Sequence, residues 1–597
     1  MRTTLRTLAA CALLLAVTVC LGGFPGSALA QDAAGAQGNV AAQGLAAGKS
    51  APAQDDVLFR AMQDEMDRSM SDLKLEGMAP PYFLAYRLQD ESVVSIEARY
   101  GALTSLDRRN GRFLYVECRV GDPSFDNSNF ISSWQDLSDG RQGVVEENDY
   151  DALRHAIWLA TDTAYKNALE QIARKEAYIQ THPQKEAIPD FSDAEPVVHI
   201  ERPVELEVNV DAWEQQVRDA AEALDAYPSL QDWKVTFDGV AFNKRYLNSE
   251  GSKNLKGALF NDLEVAATAQ AVDGQRLTSF LRYSTRGGDA LPTGDELATD
   301  IREMADELEA LVAAETLDEY AGPVLFTDYA AAQLIAQLFA GQLTPVKSPL
   351  LAEEWMQQYM PGAKLASRLN RRVFPEFVTV TDEPTRESWE GIKLAGCRLV
   401  DDEGVPTQDI TLVDKGRLVD LPMGRGPTKK LTASNGHAVS FPNQMSMPAA
   451  TNLFVHADKT KKDLVKELRN LAKDFDSEYG LLITRLDAPD ISGRYKWTES
   501  YDEPGSTLLT APVVAYKVYA DDGHMEPVRG ITFDDVSIRT LRDIYALGSD
   551  PSLTNIEQSV GPGMGYRMSV VTPDILVEEM EFKASAASEP KMVGARP

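Results

Sequence analysis

The sequence predicts an α+β protein in which an N-terminal α/β domain, residues 55–320, precedes a mainly β C-terminal domain, residues 321–583. Alternating apolar residues in the first half indicate strands, and apolar residues spaced three and four apart indicate helices, of which the pattern from Tyr150 to about Gln180 is the longest. In the second half, short strands and turn residues dominate. A chain of 597 residues is long enough for two or three domains.

The first residues have the features of a secretory signal peptide. Arg2 and Arg6 precede the apolar residues 8–19, and Ser27-Ala28-Leu29-Ala30 supplies the small residues of a cleavage site. We therefore predict cleavage after Ala30, with residues 1–30 as signal peptide and a periplasmic or secreted location. The alternative is an uncleaved membrane anchor, but the apolar stretch is short for a membrane span.

The segments next to the two ends are poor in bulky apolar residues. Residues 31–54 consist largely of Ala, Gly and Gln, and predict a flexible leader. Residues 584–597 predict a disordered tail for the same reason.

The chain carries a formal net charge of −32 at pH 7. Such a surface repels nucleic acid and anionic lipid, so neither is an expected partner, and no segment after the signal peptide is apolar enough to span a membrane. Only Cys118 and Cys397 remain after cleavage at Ala30. Alternation in residues 113–120 places Cys118 on a core-facing strand face. Whether the two cysteines pair is left open by their spacing.

Turn and capping residues predict further elements. Asp273-Gly274 lies between two alternating runs and indicates a β-hairpin, as do Asp414-Lys415-Gly416 and Asp522-Gly523. Thr293 with Glu296 has the spacing of a capping box at the start of a helix. A second helix is predicted to begin with Thr460 as its cap and to end at Gly480, before a strand over residues 481–486.

One run has the form of a metal-site element but lacks metal-binding side chains. Residues 323–326 predict a short strand, Thr327 and Asp328 follow, and then apolar residues recur at helical spacing, predicting an amphipathic helix with a face of Ala331, Leu334, Ile335, Leu338 and Phe339. A zinc peptidase would place two His and a Glu on the first turns of such a helix. This chain has Thr, Asp and Ala there, and Asp328 is explained as a helix cap.

Several motifs together resemble the TldD/PmbA family, whose members are called metallopeptidases or modulators of gyrase. The resemblance rests on GPVLF before an Ala-rich helix, NSEG at 248–251, SNGHA at 434–438, the run MPAATNLFV, YGLLITRL at 479–486, APVVAYKVY and VRGITF. It covers most of the chain after the signal peptide. The resemblance implies an α/β domain followed by a mainly β domain, and homo- or heterodimers around a cavity that admits unfolded peptide.

The resemblance also implies where a zinc site would lie. In the catalytic, TldD-like branch the helix reads HExxxH and a late Cys completes the site. The first His falls on Thr327, the Glu on Asp328 and the second His on Ala332, and no Cys follows Cys397. The chain therefore resembles the PmbA (TldE) branch, which lacks the metal and partners a catalytic TldD-like paralogue. No cofactor is expected, and zinc would bind only if this interpretation of a degenerate motif is wrong.

A second candidate site is the loop Ser434, Asn435, Gly436 and His437, which in the family borders the cavity. We consider it a candidate peptide-cleft loop, with a solvated loop histidine as the simpler alternative. The spacing of Ser434 and His437 is common in any chain and does not indicate a catalytic dyad.

The sequence leaves three hypotheses for function. The first is an exported TldD/PmbA-like protein that serves as a non-catalytic subunit or peptide-binding scaffold in proteolysis or peptide maturation. The second is an active peptidase that cleaves unfolded peptides with an unrecognised site. The third is an envelope assembly or maturation factor without a proteolytic role.

Overall fold

The computed structural model describes residues 56–133, 141–183, 188–344, 350–352, 364–440, 446–492, 508–561 and 564–585. The predicted signal peptide and leader lie outside these residues, and so does nearly all of the predicted tail. Strand pairing continues through Ala584, and the Ser585 N–H donates to the Gly530 carbonyl at 2.7 Å, so order extends slightly past the predicted start of the tail.

Where a side chain caps the start of a helix among the described residues, the capping residue is Asp or Asn. Asp56 accepts hydrogen bonds from Leu58 N and Phe59 N, and Asp149 accepts one from Ala152 N. These bonds satisfy N–H groups that have no partner within the helix. The helices of the described residues are α1 (Val57–Asp72), α2 (Tyr150–Thr181), α3 (Val210–Ala223), α4 (Gly294–Ala313), α5 (Asp328–Leu338), α6 (Leu464–Asp474) and α7 (Pro489–Ser492).

Two long antiparallel strand pairs dominate the first half. The strands up to the second half are β1 (Pro81–Arg99), β2 (Ala102–Asp122), β3 (Phe125–Asp126), β4 (Phe130–Ile131), β5 (Arg141–Gly143), β6 (Val198–Ile200), β7 (Leu230–Asn248), β8 (Lys253–Gln270) and β9 (Arg276–Arg286). The strands β1 and β2 are far longer than the alternating runs that predicted them, because they continue through polar residues near their shared turn.

The second half contains many shorter strands. They are β10 (Glu315–Thr316), β11 (Glu319–Phe326), β12 (Leu350–Leu351), β13 (Val378–Asp382), β14 (Ser388–Trp389), β15 (Ile392–Lys393), β16 (Ile410–Asp414), β17 (Arg417–Leu418), β18 (Ala438–Ser440), β19 (Ser446–Pro448), β20 (Asn452–Ala457), β21 (Tyr479–Leu486), β22 (Pro512–Tyr519), β23 (Met525–Arg529), β24 (Ile531–Asp534), β25 (Ile544–Leu547), β26 (Ser552–Gly561), β27 (Met564–Thr572) and β28 (Ile575–Ala584). The three predicted hairpins are confirmed as β8–β9, β16–β17 and β22–β23.

The first sheet has the described strand order β3-β2-β1-β7-β8-β6, with β5 beside β2 and β9 beside β8. One of its faces is covered by helices. Near one end, Leu84 and Leu88 of β1 pack with α1 and α2. Near the other end, Ile96 of β1 and Phe237 of β7 pack with α3 and α4. The opposite face contacts the C-terminal half, through ion pairs such as Arg567 with Asp262 at 2.6 Å.

Two sheets of the second half enclose α5. One has the order β10-β23-β22-β21-β11-β28-β24 with β25 beside β28, and the other has the order β17-β16-β13-β20-β27-β26. Leu334 and Leu338 of α5 share one buried cluster with Val324 and Ile483 of the former sheet and Val570 of the latter. On the other face of the former sheet, α6 packs through Leu464, Leu468 and Leu471. The mixed α+β class predicted from the sequence is thus confirmed.

Helix α5 differs from the prediction in one respect. Its predicted apolar face is buried, but Ala330, Ala332, Gln333 and Ala336 on the remaining sides are buried as well. The helix is a core element between two sheets rather than an amphipathic surface helix. An alternation of apolar and small residues looks amphipathic in sequence because alanine is compatible with either environment.

Helix α6 begins and ends at other residues than predicted. Its N-cap is Asp463, whose side chain accepts from Lys466 N at 2.9 Å, so the predicted cap at Thr460 is wrong. It ends at Asp474, with Phe475 as C-cap, rather than at Gly480, which lies in β21. The predicted start of α4 after Thr293 is correct, although Thr293 makes no capping hydrogen bond.

The cysteines and the membrane prediction can also be compared with the structure. Cys118 is buried in the cluster that contains Leu114 and Val120, which confirms the predicted core thiol. Both Cys118 and Cys397 are free thiols. Among the described helices, none combines the length and apolar character that a membrane span requires.

Candidate functional site at the start of helix α5

The turn between β11 and α5 holds the positions that the family resemblance assigns to a metal site. Thr327 is the N-cap residue, and its side chain makes no capping hydrogen bond. Asp328, the first helical residue, has a φ of +46°, a left-handed conformation that is uncommon outside glycine. Its N–H donates to Asp574 Oδ1 at 3.1 Å. The predicted capping role of Asp328 is therefore wrong, because the cap position is Thr327 and Asp328 is a donor to another carboxylate.

Asp328 and Asp574 bring two carboxyl groups to this turn. Burial raises the pKa of the Asp574 carboxyl, the hydrogen bond from the Asp328 N–H opposes the rise, and the negative charge of Asp328 adds to it. The turn thus places the exposed Asp328 near Asp574, whose carboxyl group keeps its proton to a higher pH than an ordinary aspartic acid.

Zinc does not fit the residues at the motif positions. Protein zinc sites use Cys, His and carboxylate ligands in a tetrahedral set. Thr327 offers a neutral hydroxyl, and Ala332 offers no donor and is 1% exposed in the core. Only Asp328 is a zinc-ligand type. Within the described ranges, no group of three or more His, Cys, Asp or Glu side chains could hold a metal ion.

A polar stripe runs along the otherwise apolar α5. Gln333 and Gln337 lie one turn apart; Gln333 bonds the last residue of β21, and Gln337 bonds Thr510, shortly before β22. The Gln333 amide donates to the Leu486 carbonyl at 3.0 Å and accepts from Leu486 N at 2.8 Å. Gln337 donates to Thr510 Oγ1 at 3.1 Å and accepts from Thr510 N at 2.9 Å. The third member of the stripe, Tyr329, is one turn before Gln333.

Tyr329 lies against an apolar patch built from both halves of the chain. The patch consists of the buried Ala266, Phe280 and Ala488 and the partly buried Ile491. The rings of Tyr329 and Phe280 meet edge to face with centroids 6.0 Å apart. Such a T-shaped contact is favourable for two aromatic rings.

Two arginines flank this patch, and each is paired with acids. Arg282 Nη2 donates to Glu264 at 2.7 Å and to Asp490 at 2.5 Å. Arg485 Nη1 donates to Ser279 Oγ at 2.8 Å and contacts Glu307 at 3.3 Å. The guanidinium carbons of Arg282 and Arg485 lie 6.0 and 5.8 Å from the centroid of the Phe280 ring, within the range of a cation–π contact.

Burial and charge set the protonation of the two central groups. Burial raises the pKa of Tyr329, and the positive charge of Arg282 opposes that rise. Burial alone would lower the pKa of Arg282, but the neighbouring Tyr329, Asp490 and Glu264 raise it. At neutral pH, Tyr329 is therefore a neutral hydroxyl and Arg282 a cation. Tyr329 is not among the site residues predicted from the sequence, although the i, i+4, i+8 spacing of Tyr329, Gln333 and Gln337 indicates a polar stripe.

The predicted loop Ser434–His437 is held tightly by backbone contacts. Asn435 Oδ1 accepts from Met423 N at 2.7 Å, and Asn435 Nδ2 donates to the Leu421 carbonyl at 2.9 Å. Ser434 Oγ donates to the Met423 carbonyl at 3.1 Å. Gly436 has a φ of +77°, and a side chain there would come within 2.3 Å of the Pro406 carbonyl oxygen. The loop therefore needs glycine at this position.

His437 is completely buried, so the prediction of a solvated loop histidine is wrong. Its Nδ1 lies 2.8 Å from Asn435 Oδ1, and its Nε2 lies 3.5 Å from Asp382 Oδ2. Burial lowers the pKa of His437, and the charge of Asp382 opposes this. Among the described residues, no hydrogen bond or ion pair joins Ser434 to His437, or this loop to Thr327, Asp328 or Ala332. The structure therefore does not bring the two predicted sites into direct contact.

The NSEG and SNGHA motifs instead lie where the two halves of the chain are joined. Arg425, which is 1% exposed, donates to both carboxylate oxygens of Glu250 at 2.5 and 2.9 Å. It also donates to the Ser192 carbonyl at 2.8 Å. Asp402 accepts from Lys244 and Lys256 of the first sheet and from Ser440 N after the SNGHA loop. These ion pairs fix the first sheet against the C-terminal half.

Comparisons with known proteins agree on the fold. Residues 319–584 match the model of the PmbA/TldA metallopeptidase C-terminal domain. No curated protein matches the chain. Three solved structures are similar over most of their lengths, all at low sequence identity, so the likeness concerns the fold.

The first is a candidate DNA gyrase modulator from Thermotoga maritima, with 16% identity, a TM-score of 0.55, and 87% of this chain and 100% of that chain covered. The second is TldE from Thermococcus kodakarensis, with 12% identity, a TM-score of 0.54, and coverage of 88% and 100%. The third is a candidate DNA gyrase modulator from Bacteroides thetaiotaomicron, with 14% identity, a TM-score of 0.51, and coverage of 88% and 98%. The match of residues 319–584 to the PmbA/TldA metallopeptidase C-terminal domain and the fold shared with TldE and the two gyrase-modulator structures together support the TldD/PmbA assignment made from the sequence.

Proposed function

We propose that this chain is an exported TldD/PmbA-like protein that acts as a non-catalytic, TldE/PmbA-like subunit or peptide-binding scaffold in proteolysis or peptide maturation. The observation that carries the proposal is the chemistry at Thr327, Asp328 and Ala332, which offers a single zinc-ligand side chain. Since the fold is retained and zinc does not fit, binding rather than hydrolysis is the function that this geometry supports best.

The partners follow from the same proposal. An unfolded peptide or protein would be the ligand, and a catalytic TldD-like paralogue would be the partner subunit in a heterodimer, with a homodimer as the alternative. The likeness to TldE supports this partnership at the level of the fold. The signal-peptide pattern of residues 1–30 supports export to the periplasm or out of the cell.

Digestion of reduced casein tests the proposal. The purified protein without residues 1–30 is incubated with casein, with and without a strong chelator, and fragments are followed by electrophoresis and mass spectrometry. We expect no cleavage in either sample. Cleavage that the chelator abolishes would contradict the proposal, since it would require a metal site.

An active peptidase without zinc is the second candidate. One observation favours it: Asp328 and Asp574 form a carboxyl pair in which burial raises the pKa of one member, an arrangement that suits acid–base chemistry. This candidate predicts chelator-insensitive cleavage of casein that Asp574→Asn abolishes and that Asp193→Asn, the same change at an exposed position, leaves intact. Absence of cleavage by the wild-type protein excludes it.

A further inference from the structure

The patch around Tyr329 combines free hydrogen-bond donors with an apolar wall. No described residue donates a hydrogen bond to the Tyr329 hydroxyl or accepts one from it. The other two members of its stripe, Gln333 and Gln337, are fully engaged with backbone and Thr510. Tyr329 itself is partly exposed.

Arg282 contributes a second set of donors. Both of its ion pairs use Nη2, and within the described residues Nη1 and Nε have no hydrogen-bond acceptor. Glu264 and Asp490 fix the guanidinium in place. The Tyr329 hydroxyl and the Arg282 guanidinium are near enough for each to shift the pKa of the other. A neutral hydroxyl beside a guanidinium suits a neutral oxygen acceptor, because the two acids already balance the charge of Arg282.

The wall beside these donors is apolar. Ala266, Phe280 and Ala488 are buried, and Ile491 lies at the margin of the patch. An apolar side chain placed here would be removed from water against Phe280 and Ile491, while the carbonyl next to it reached the donors. A backbone carbonyl beside an apolar side chain is what an extended peptide presents at each apolar residue.

We propose that Tyr329 and Arg282 bind a backbone carbonyl of an extended peptide, whose adjacent apolar side chain packs against Phe280 and Ile491. This inference rests on the proposed peptide-binding function and names the site and the ligand chemistry within it. It places recognition on the polar stripe of α5.

Peptide binding by fluorescence anisotropy tests the inference. The probes are labelled reduced casein and two labelled peptides with blocked ends, Gly-Gly-Phe-Gly-Gly and Gly-Gly-Ser-Gly-Gly. Tyr329→Phe keeps the ring and removes only the hydroxyl. We expect it to weaken binding of casein and of both peptides by about 2- to 12-fold, the effect of losing one hydrogen bond. Tyr545→Phe, the same change at an exposed tyrosine of β25, is the matched control and should leave binding unchanged.

A second variant tests the apolar wall. Ile491→Ala should weaken binding of the Phe peptide several-fold and leave the Ser peptide unchanged, because only the former places an apolar side chain on the patch. Thermal unfolding of each variant shows that the fold is retained.

The outcomes separate the inference from the function on which it rests. If the wild-type protein binds casein and Tyr329→Phe binds equally well, the hydroxyl does not contact peptide and the inference is wrong, while the scaffold function stands. If the wild-type protein binds neither casein nor the peptides, the proposed function is wrong and the inference falls with it.

Discussion

The side-chain amide of Gln333 forms two hydrogen bonds with the backbone of Leu486, one as donor at 3.0 Å and one as acceptor at 2.8 Å. Gln333 is buried, so the pair joins α5 to the end of β21 away from water. Replacing it with Leu removes both bonds and leaves two buried backbone groups unsatisfied. We expect Gln333→Leu to lower the free energy of unfolding by about 2–5 kcal/mol, measured by urea denaturation.

The matched control is Gln215→Leu. Gln215 is exposed on α3, and among the described residues its side chain donates to Asp219 alone, one turn away. Its replacement should change stability by no more than about 0.5 kcal/mol. Equal effects at the two positions would show that the bonds to Leu486 do not stabilise α5.

The core position of α5 gives a second prediction. Leu334 is fully buried between two sheets, so Leu334→Ala should cost about 2–5 kcal/mol through lost burial and the cavity left behind. Thr327 makes no capping bond, so Thr327→Ala should change the free energy of unfolding by less than about 0.5 kcal/mol, below the usual cost of losing a cap. Similar losses for both variants would mean that the helix is not packed as described.

The Arg425–Glu250 pair predicts strong coupling between the two halves. A double-mutant cycle with Arg425→Met and Glu250→Gln should give a coupling energy of about 1–3 kcal/mol, because the pair is bidentate and Arg425 is buried. The control is a cycle on Arg372 and Glu376, an exposed pair four residues apart, for which about 0.3–0.5 kcal/mol is expected. A coupling as small as in the control would show that the ion pair does not join the halves.

His437 predicts a dependence of stability on pH. Burial lowers its pKa in the folded protein, with Asp382 and Asp420 opposing and Arg398 assisting. Below the ordinary pKa of histidine, His437 therefore binds a proton in the unfolded chain but stays neutral in the folded protein until the pH is lower. Proton binding then favours the unfolded chain, so the free energy of unfolding falls on acidification.

The measurement compares wild type with His437→Gln by urea denaturation. The stability advantage of the wild type should shrink as the pH falls from about 7.5 to about 5.5, through the ordinary pKa of histidine. His155→Gln, at an exposed position of α2, is the control for removal of a histidine. An advantage of the wild type that grows on acidification would contradict the assigned direction.

Turns and strand–helix junctions could be predicted from the sequence, because the residues that mark them are neighbours in the chain. Asp273-Gly274 marks the β8–β9 turn, and the apolar run that ends at Thr327 marks the junction of β11 with α5. Where two capping residues lie close together, as Thr460 and Asp463 do, the sequence does not distinguish them. The structure selects Asp463 because its side chain reaches Lys466 N.

Properties that depend on distant segments could not be predicted from the sequence. The buried His437 lies beside Asp382, which is far away in the chain. The setting of Tyr329 is formed by Phe280 of β9 and by Ala488 and Ile491 after β21. Polar residues such as histidine and tyrosine suggest exposure in sequence, and only the packed structure shows what covers them.

The central claim is that the motif positions of α5 no longer bind zinc, and metal content tests it most directly. The protein is purified without chelator, supplied with zinc, dialysed against metal-free buffer, and analysed for zinc per chain by elemental mass spectrometry, with Asp328→Asn as a variant. We predict far less than one zinc per chain, with no difference between the two proteins. One zinc per chain that survives dialysis, and is lost in the variant, would contradict the account.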